Sequence, residues 1–215
     1  ARRLGGEAAH MSSALVPRDK GVLDTLRAQV ATRFSPRQEA LLLLLDASGS
    51  MGGEAWDALV EAVGALATAS NPATCRLGAA VFSQAADLIQ PFTADLGQVV
   101  RSVERYEPGG GTGMKEGLAL AEKLQWPENH VRRVVLFSDG MPTTGDPVLI
   151  ARRVADAQVV IDTVGCGAGI DEEVMRAIAK AGGGRYVHAA SVRDLVGVFL
   201  GLTTEARGLL TAGRG

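Results

Sequence analysis

The sequence predicts an open, doubly wound α/β fold: a mostly parallel sheet with helices on both faces and one antiparallel edge strand. Three observations predict it. Apolar runs of strand length alternate with amphipathic stretches of about ten residues or more, which calls for crossover connections and therefore parallel strands. Leu41–Leu45 is apolar at every position, as a strand covered on both faces must be. Asp87–Phe92 follows the strand Cys75–Ser83 through a turn at Gln84–Ala86, too short for a crossover, so it runs antiparallel near an edge.

The elements follow in order. Leu41–Leu45 ends at the glycine-rich break Asp46-Ala47-Ser48-Gly49-Ser50, which favours a strand over a helix. Trp56, Leu59, Val63 and Leu66 recur at helical spacing, and Leu96, Val99, Val100 and Val103 mark a second, shorter helix. The loop Glu107–Gly113 precedes a helical stripe of Met114, Leu118, Ala121 and Leu124. Val131–Ser138 is a strand stopped by Asp139-Gly140, followed by a helix near Pro147–Ala155. Val159–Val164 is the next strand, closed by Gly165-Cys166-Gly167. Asp171 caps a helix over Glu172–Lys180, with Ile170 and Met175 spaced as a hydrophobic staple. Glycines 182–184 stop that helix, Tyr186–Ala189 is the last strand, and Ser191 opens a terminal helix to about Leu202.

The chain of 215 residues suits one domain, expected over residues 39–202. Residues 1–38 form a flank, part helical through Val22, Leu23, Leu26 and Val30, and 203–215 a tail. With 47% hydrophobic but only 4% aromatic residues, the interior is built from aliphatic side chains. A net charge of -2 with mixed signs offers neither a nucleic-acid groove nor a polybasic membrane patch. No apolar run is long enough to span a bilayer, and Ala1–Lys20 lacks the pattern of a secretory signal, so a cytoplasmic setting is expected. Cys75 and Cys166 belong to no C-x-x-C pair. Two reduced core thiols are the simpler reading, with a single disulfide as the alternative.

The chemistry gathers at strand ends. In open α/β sheets ligands bind beyond the carboxyl ends of the strands, where strand order reverses. Asp46, Ser48 and Ser50 follow the first strand, Asp139 follows Val131–Ser138, and Thr112 lies in the intervening glycine loop. Two carboxylates and three hydroxyls are hard oxygen donors, suited to Mg²⁺ and unsuited to Zn²⁺ or Cu²⁺. Gly49 lets the backbone bend between the two serines.

Asp46-Ala47-Ser48-Gly49-Ser50, then Gly110-Gly111-Thr112, then Ser138-Asp139-Gly140 resembles the metal-ion-dependent adhesion site of von Willebrand factor A domains, a pattern of D-x-S-x-S, a later T and a later D-G. The similarity runs from about residue 39 to 202. It implies a Rossmann-like fold and a non-enzymatic module that binds a protein partner. Ser48, Ser50 and Thr112 would contact the metal through their hydroxyls, and Asp46 and Asp139 directly or through water. The metal would be Mg²⁺, with Mn²⁺ or Ca²⁺ as substitutes, and a partner Asp or Glu carboxylate would fill the open position. Met51, Gly111, Gly113, Gly140 and Met141 are expected on the rim, although packing suits the two methionines equally well. Gly113 stands where many relatives carry a larger residue. In integrin-type relatives the final helix shifts on binding, and Ser191–Leu202 is the corresponding piece.

Two further readings use the same residues. A scaffold subunit, like the ATPase-associated members of this family in bacteria, would use the site as a docking point in a larger assembly. A serine hydrolase would take Ser50, Asp139 and His188 in that order, but leaves Asp46, Ser48 and Thr112 without a task. Gly109–Lys115 lacks the Gly-Lys-Ser/Thr of a phosphate loop, and Gly165–Gly169 lacks the third glycine of a dinucleotide fingerprint. Trp56 and Trp126 read as packing residues, and His130 and His188 as surface or strand-end residues.

Overall fold

The computed structural model describes residues 38–143 and 145–198. The flank, the tail and the end of the expected terminal helix lie outside them. The sheet has strands β1 (Gln38–Asp46), β2 (Cys75–Phe82), β3 (Ala86–Thr93), β4 (His130–Ser138), β5 (Val159–Cys166) and β6 (Gly183–Ala189). Their order is β3-β2-β1-β4-β5-β6. All pairings are parallel except β2–β3, so the short connection puts β3 antiparallel at the edge, as its length requires. Strand order reverses between β1 and β4, the neighbours that carry Asp46 and Ser138 at their ends.

The apolar run of β1 explains the layering. Successive side chains alternate across a strand. Leu41, Leu43 and Leu45 enter one core with Trp56, Leu59 and Val63 of α1 (Glu54–Ala69) and Val99 and Val103 of α2 (Leu96–Glu104). Leu42 and Leu44 enter the other, with Met114 and Leu118 of α3 (Met114–Lys123), Ile150 and Val154 of α4 (Pro147–Asp156) and Ile178 of α5 (Glu172–Ala181). All five leucines are at most 3% exposed. Each contributes about 1.5–3 kcal/mol by leaving water, so β1 is the strand least tolerant of polar substitution.

Caps behave as their residue types dictate. Asp95, Asp146 and Asp171 each accept backbone amides at the starts of α2, α4 and α5. Met175 is buried, with Ile170 packed against the same cluster. Trp56 and Trp126 pack and satisfy their indole nitrogens on Val103 O and Ala121 O. Cys75 and Cys166 are both buried and are not joined to each other, and no described helix is long and apolar enough to cross a membrane.

The last strand departs from the expected Tyr186–Ala189. It begins three residues earlier, straight after α5, because the glycines do more than stop the helix. Gly183 turns the chain at φ +68°, and Gly184 brings the backbone so close to β5 that a Cβ would lie 2.2 Å from Ile161 O. Likewise β5 runs on through Gly165 and Cys166, which pair with β6. Beyond β6, Val192–Asp194 forms a tight turn that leads into helical residues 195–198. Asp194 accepts Ser191 N and Oγ at 2.9 Å, and Leu195 is buried in the first core.

Candidate functional site

Parallel register sets Leu45 opposite Phe137, so Asp46 and Ser138 leave the sheet side by side. Both are fully buried. Ser138 Oγ donates to Asp46 Oδ2 at 2.5 Å, and Ser48 N donates to Asp46 Oδ1 at 2.9 Å. Both oxygens of Asp46 are thus engaged in holding the turn after β1. Ser138 in turn accepts Gly140 N at 3.2 Å, which bends the chain after β4 toward the same point.

Above this base lies a short chain of oxygens. Ser48 Oγ is 3.0 Å from Ser50 Oγ, and Ser50 Oγ donates to Asp139 Oδ1 at 3.0 Å. Ser48 is buried, Ser50 exposed and Asp139 half-buried, so the row reaches the surface at its middle member.

The glycine loop closes the third side. Gly109 N donates to Ala47 O at 2.8 Å and Gly49 N to Gly110 O at 3.1 Å, tying this loop to the D-x-S-x-S turn. Thr112 O accepts both Thr143 N and Thr143 Oγ1, tying it to the loop after Asp139. Thr112 Oγ1 stands 3.2 Å from the point where a Cβ on Gly140 would be. Thr112 is 7% exposed, and its hydroxyl makes no hydrogen bond to any described residue. It does not cap α3: that helix starts after Gly113 with no side-chain cap, leaving its amino end open beside Thr112.

Hydrogen bonds thus link Asp46, Ser48, Ser50 and Asp139 at the switch point, and Thr112 lies against Gly140 on the loop that follows Asp139. Ser138, quoted with the motif but given no role, turns out to hold Asp46. Its signal was available: two strands adjacent at the reversal, each with its last residue polar.

Of the residues expected on the rim, Gly111 and Gly140 are half-buried and Met141 is 62% exposed, next to Thr112 and Asp139 along the chain. Met51, expected there, is fully buried in the first core, because the single turn at Gly49–Met51 rotates it inward. Gly113 is also buried. A Cβ there would lie 2.3 Å from Ser83 O, which accepts its amide, so the absence of a larger residue reflects backbone packing and not rim variation.

Electrostatics separates Asp46 from ordinary surface acids. Burial above all, with the charge of Asp139, raises Asp46 above the usual carboxylate range, against the pull of its bonds from Ser138 and Ser48. No described Lys, Arg or His pairs with Asp46 or Asp139. Burial likewise pushes the Cys166 thiol up to about 11, helped by Asp139 and Asp194. No group of three His, Cys, Asp or Glu gathers among the described residues, so hydroxyls must share in any cation site.

The hydrolase order is not a relay. Ser50 donates straight to Asp139, while the His188 ring lies 3.2 Å from Tyr186 OH and 3.4 Å from Glu172.

An open α/β sheet with oxygen-bearing side chains at its switch point has the architecture in which ligands bind beyond the strand ends. The chain belongs to the von Willebrand factor type A domain family, whose model matches residues 40–199. No curated protein matches it. Among solved structures it is similar to the conserved hypothetical protein BatB from Bacteroides thetaiotaomicron, at 19% identity, TM-score 0.69, covering 79% of this chain and 99% of that one. It is similar to the manganese-loaded TRAP protein of Plasmodium vivax, at 24% identity, TM-score 0.63, covering 76% and 74%. A third is proximal thread matrix protein 1 of the mussel byssus, solved with a zinc-occupied MIDAS motif, at 17% identity, TM-score 0.66, covering 76% and 45%.

Proposed function

We propose that this domain, spanning residues 39–202, is a non-enzymatic protein-binding module that works through one divalent cation. Ser48, Ser50 and Thr112 hold the ion by their hydroxyls, with Asp139 beside them and Asp46 orienting the serine turn from beneath. A partner Asp or Glu completes the coordination.

One observation carries the reading. Octahedral Mg²⁺ with bonds of about 2.1 Å has neighbouring ligand oxygens about 3.0 Å apart. Ser48 Oγ, Ser50 Oγ and Asp139 Oδ1 form a row with both spacings at 3.0 Å. Thr112, 7% exposed and with a hydroxyl that bonds to no described residue, and two carboxylates without a described cationic partner fit the same ion. A hard cation brings positive charge that two nearby carboxylates only partly neutralise, which suits capture of an outside carboxylate. The manganese in the Plasmodium protein and the zinc in the mussel protein support a divalent ion, and the oxygen set favours Mg²⁺ or Mn²⁺ over zinc.

Thermal melting against added Mg²⁺ tests this. An ion bound only by the native state at a hundred times its Kd adds about 2.7 kcal/mol, or roughly 5–10 °C for a domain of this size. Wild type is expected to show that shift and Asp139→Ala to lose most of it. A wild-type Tm indifferent to Mg²⁺, Mn²⁺ and Ca²⁺ contradicts the proposal.

A further inference from the structure

The mouth of the site is lopsided. On one side lie three exposed glycines, Gly49, Gly52 and Gly109, joined through the bonds Gly49 N to Gly110 O, Gly52 N to Gly49 O and Gly109 N to Ala47 O. The fold does not need glycine at these positions, and Gly49 is not the special bend expected of it between the two serines. None has a positive φ, and an added Cβ would meet its nearest neighbour at 3.7 Å at Gly49 and 3.5 Å at Gly52, and nothing within 4 Å at Gly109. Gly53 and Gly110, on the same turns, have φ of 66° and 94° and are required for that reason. Exposed glycine in a conformation open to any residue gives up stability that alanine would restore. Bare backbone there gains nothing inside the molecule; it leaves room for something to approach from outside.

The other side is furnished. Met141, two residues past Asp139, is 62% exposed and is the most exposed large apolar side chain among the described residues. Lys115, on the first turn of α3, lies against Gly145, its Cδ 2.3 Å and its Nζ 3.3 Å from where a Cβ on that glycine would be. Lys115 is exposed and forms no ion pair with a described residue.

We infer that the partner is an extended acidic segment whose main chain crosses the glycine shoulder, whose carboxylate reaches the cation, and whose aliphatic neighbour packs on Met141. This rests on the cation reading above. The glycines permit close backbone approach, Met141 rewards an apolar residue beside the acid, and Lys115 favours further negative charge.

The probes are three capped tetrapeptides, Gly-Leu-Glu-Gly, Gly-Gly-Glu-Gly and Gly-Leu-Gln-Gly, titrated into the Mg²⁺-loaded, isotope-labelled chain and followed by amide shifts. The Leu-Glu peptide is expected to bind about tenfold tighter than Gly-Glu, and Leu-Gln not at all. Met141→Ser should erase the tenfold preference. Gly109→Leu should weaken the Leu-Glu peptide about tenfold while keeping the Mg²⁺ melting shift, and Gly109→Ala should melt no lower than wild type. Equal binding of Leu-Glu and Gly-Glu, binding unaffected by Gly109→Leu, or no binding of either to the loaded chain overturns the inference. If Mg²⁺ gives no melting shift in wild type, the cation reading has failed instead.

Discussion

Two buried carboxylates in this sheet are treated in opposite ways. Toward the amino ends of the strands, Asp162 of β5 is 1% exposed and is paired with Arg133 of β4, while its other oxygen accepts Arg185 N at 2.8 Å. Arg133 Nε also stands 3.3 Å from Glu39 of β1, an ion pair without hydrogen-bond geometry. At the carboxyl ends, Asp46 is equally buried, but its donors among the described residues are neutral, Ser48 N and Ser138 Oγ, with the anionic Asp139 nearby. A carboxylate buried for structure carries its own cation. Among the described residues the one at the switch point does not, and the proposed cation would supply the missing positive charge.

The comparison is broken most directly through Arg133. Arg133→Met leaves Asp162 buried without its cation and is expected to cost about 3–5 kcal/mol in urea unfolding, with no rescue specific to Mg²⁺. A loss below about 1 kcal/mol would mean that Asp162 is as self-sufficient as Asp46. The second effect has opposite signs at the two ends. Asp46 is raised above its unfolded value, so in metal-free protein its ionisation works against folding as pH rises through that range. Asp46→Asn should therefore melt no lower than wild type without metal at pH 7, yet lose the Mg²⁺ shift, whereas Asp162→Asn should melt lower under all conditions. The same sign at both positions would erase the distinction.

Smaller effects sharpen the picture. Asp139 is half-buried and accepts one bond from Ser50, so Asp139→Ala in chelator should change stability by about 1 kcal/mol or less. A larger loss would make Asp139 a structural residue. Cys166 is 2% exposed and its thiol is pushed up to about 11, so folding favours its neutral form. Its contribution is full below the ordinary thiol range and is lost as pH rises from about 9 toward 11. Cys166→Ala should show a shallower fall in Tm over that interval, and native protein should resist thiol reagents at pH 8. Rapid labelling of Cys166 would contradict its burial.

Much of this was legible in the sequence because it depends on local pattern. The unbroken leucines of β1, the aspartate caps and the short β2–β3 turn each dictate one element, and the strand-end placement of Asp46 and Asp139 follows from topology. What was not legible depends on distance in space. Met51 turns inward because of the tight turn at Gly49–Met51, and no periodicity in a three-residue turn predicts that. Gly113 is forced by Ser83 O, a contact between loops thirty residues apart in sequence. The early start of β6 follows from how closely Gly184 approaches Ile161 O, and the Arg133–Asp162 pair from neighbouring strands whose order the sequence only implies.

Mn²⁺ binding followed by electron paramagnetic resonance tests the central claim most directly, because the free ion's signal falls as it is captured. Wild-type chain should take up one ion per molecule, and Asp139→Ala and Ser48→Ala should take up none at the same concentration while Arg133→Met, where still folded, binds normally. Uptake that survives both site substitutions, or no uptake by wild type, would contradict the assignment of these oxygens to a cation.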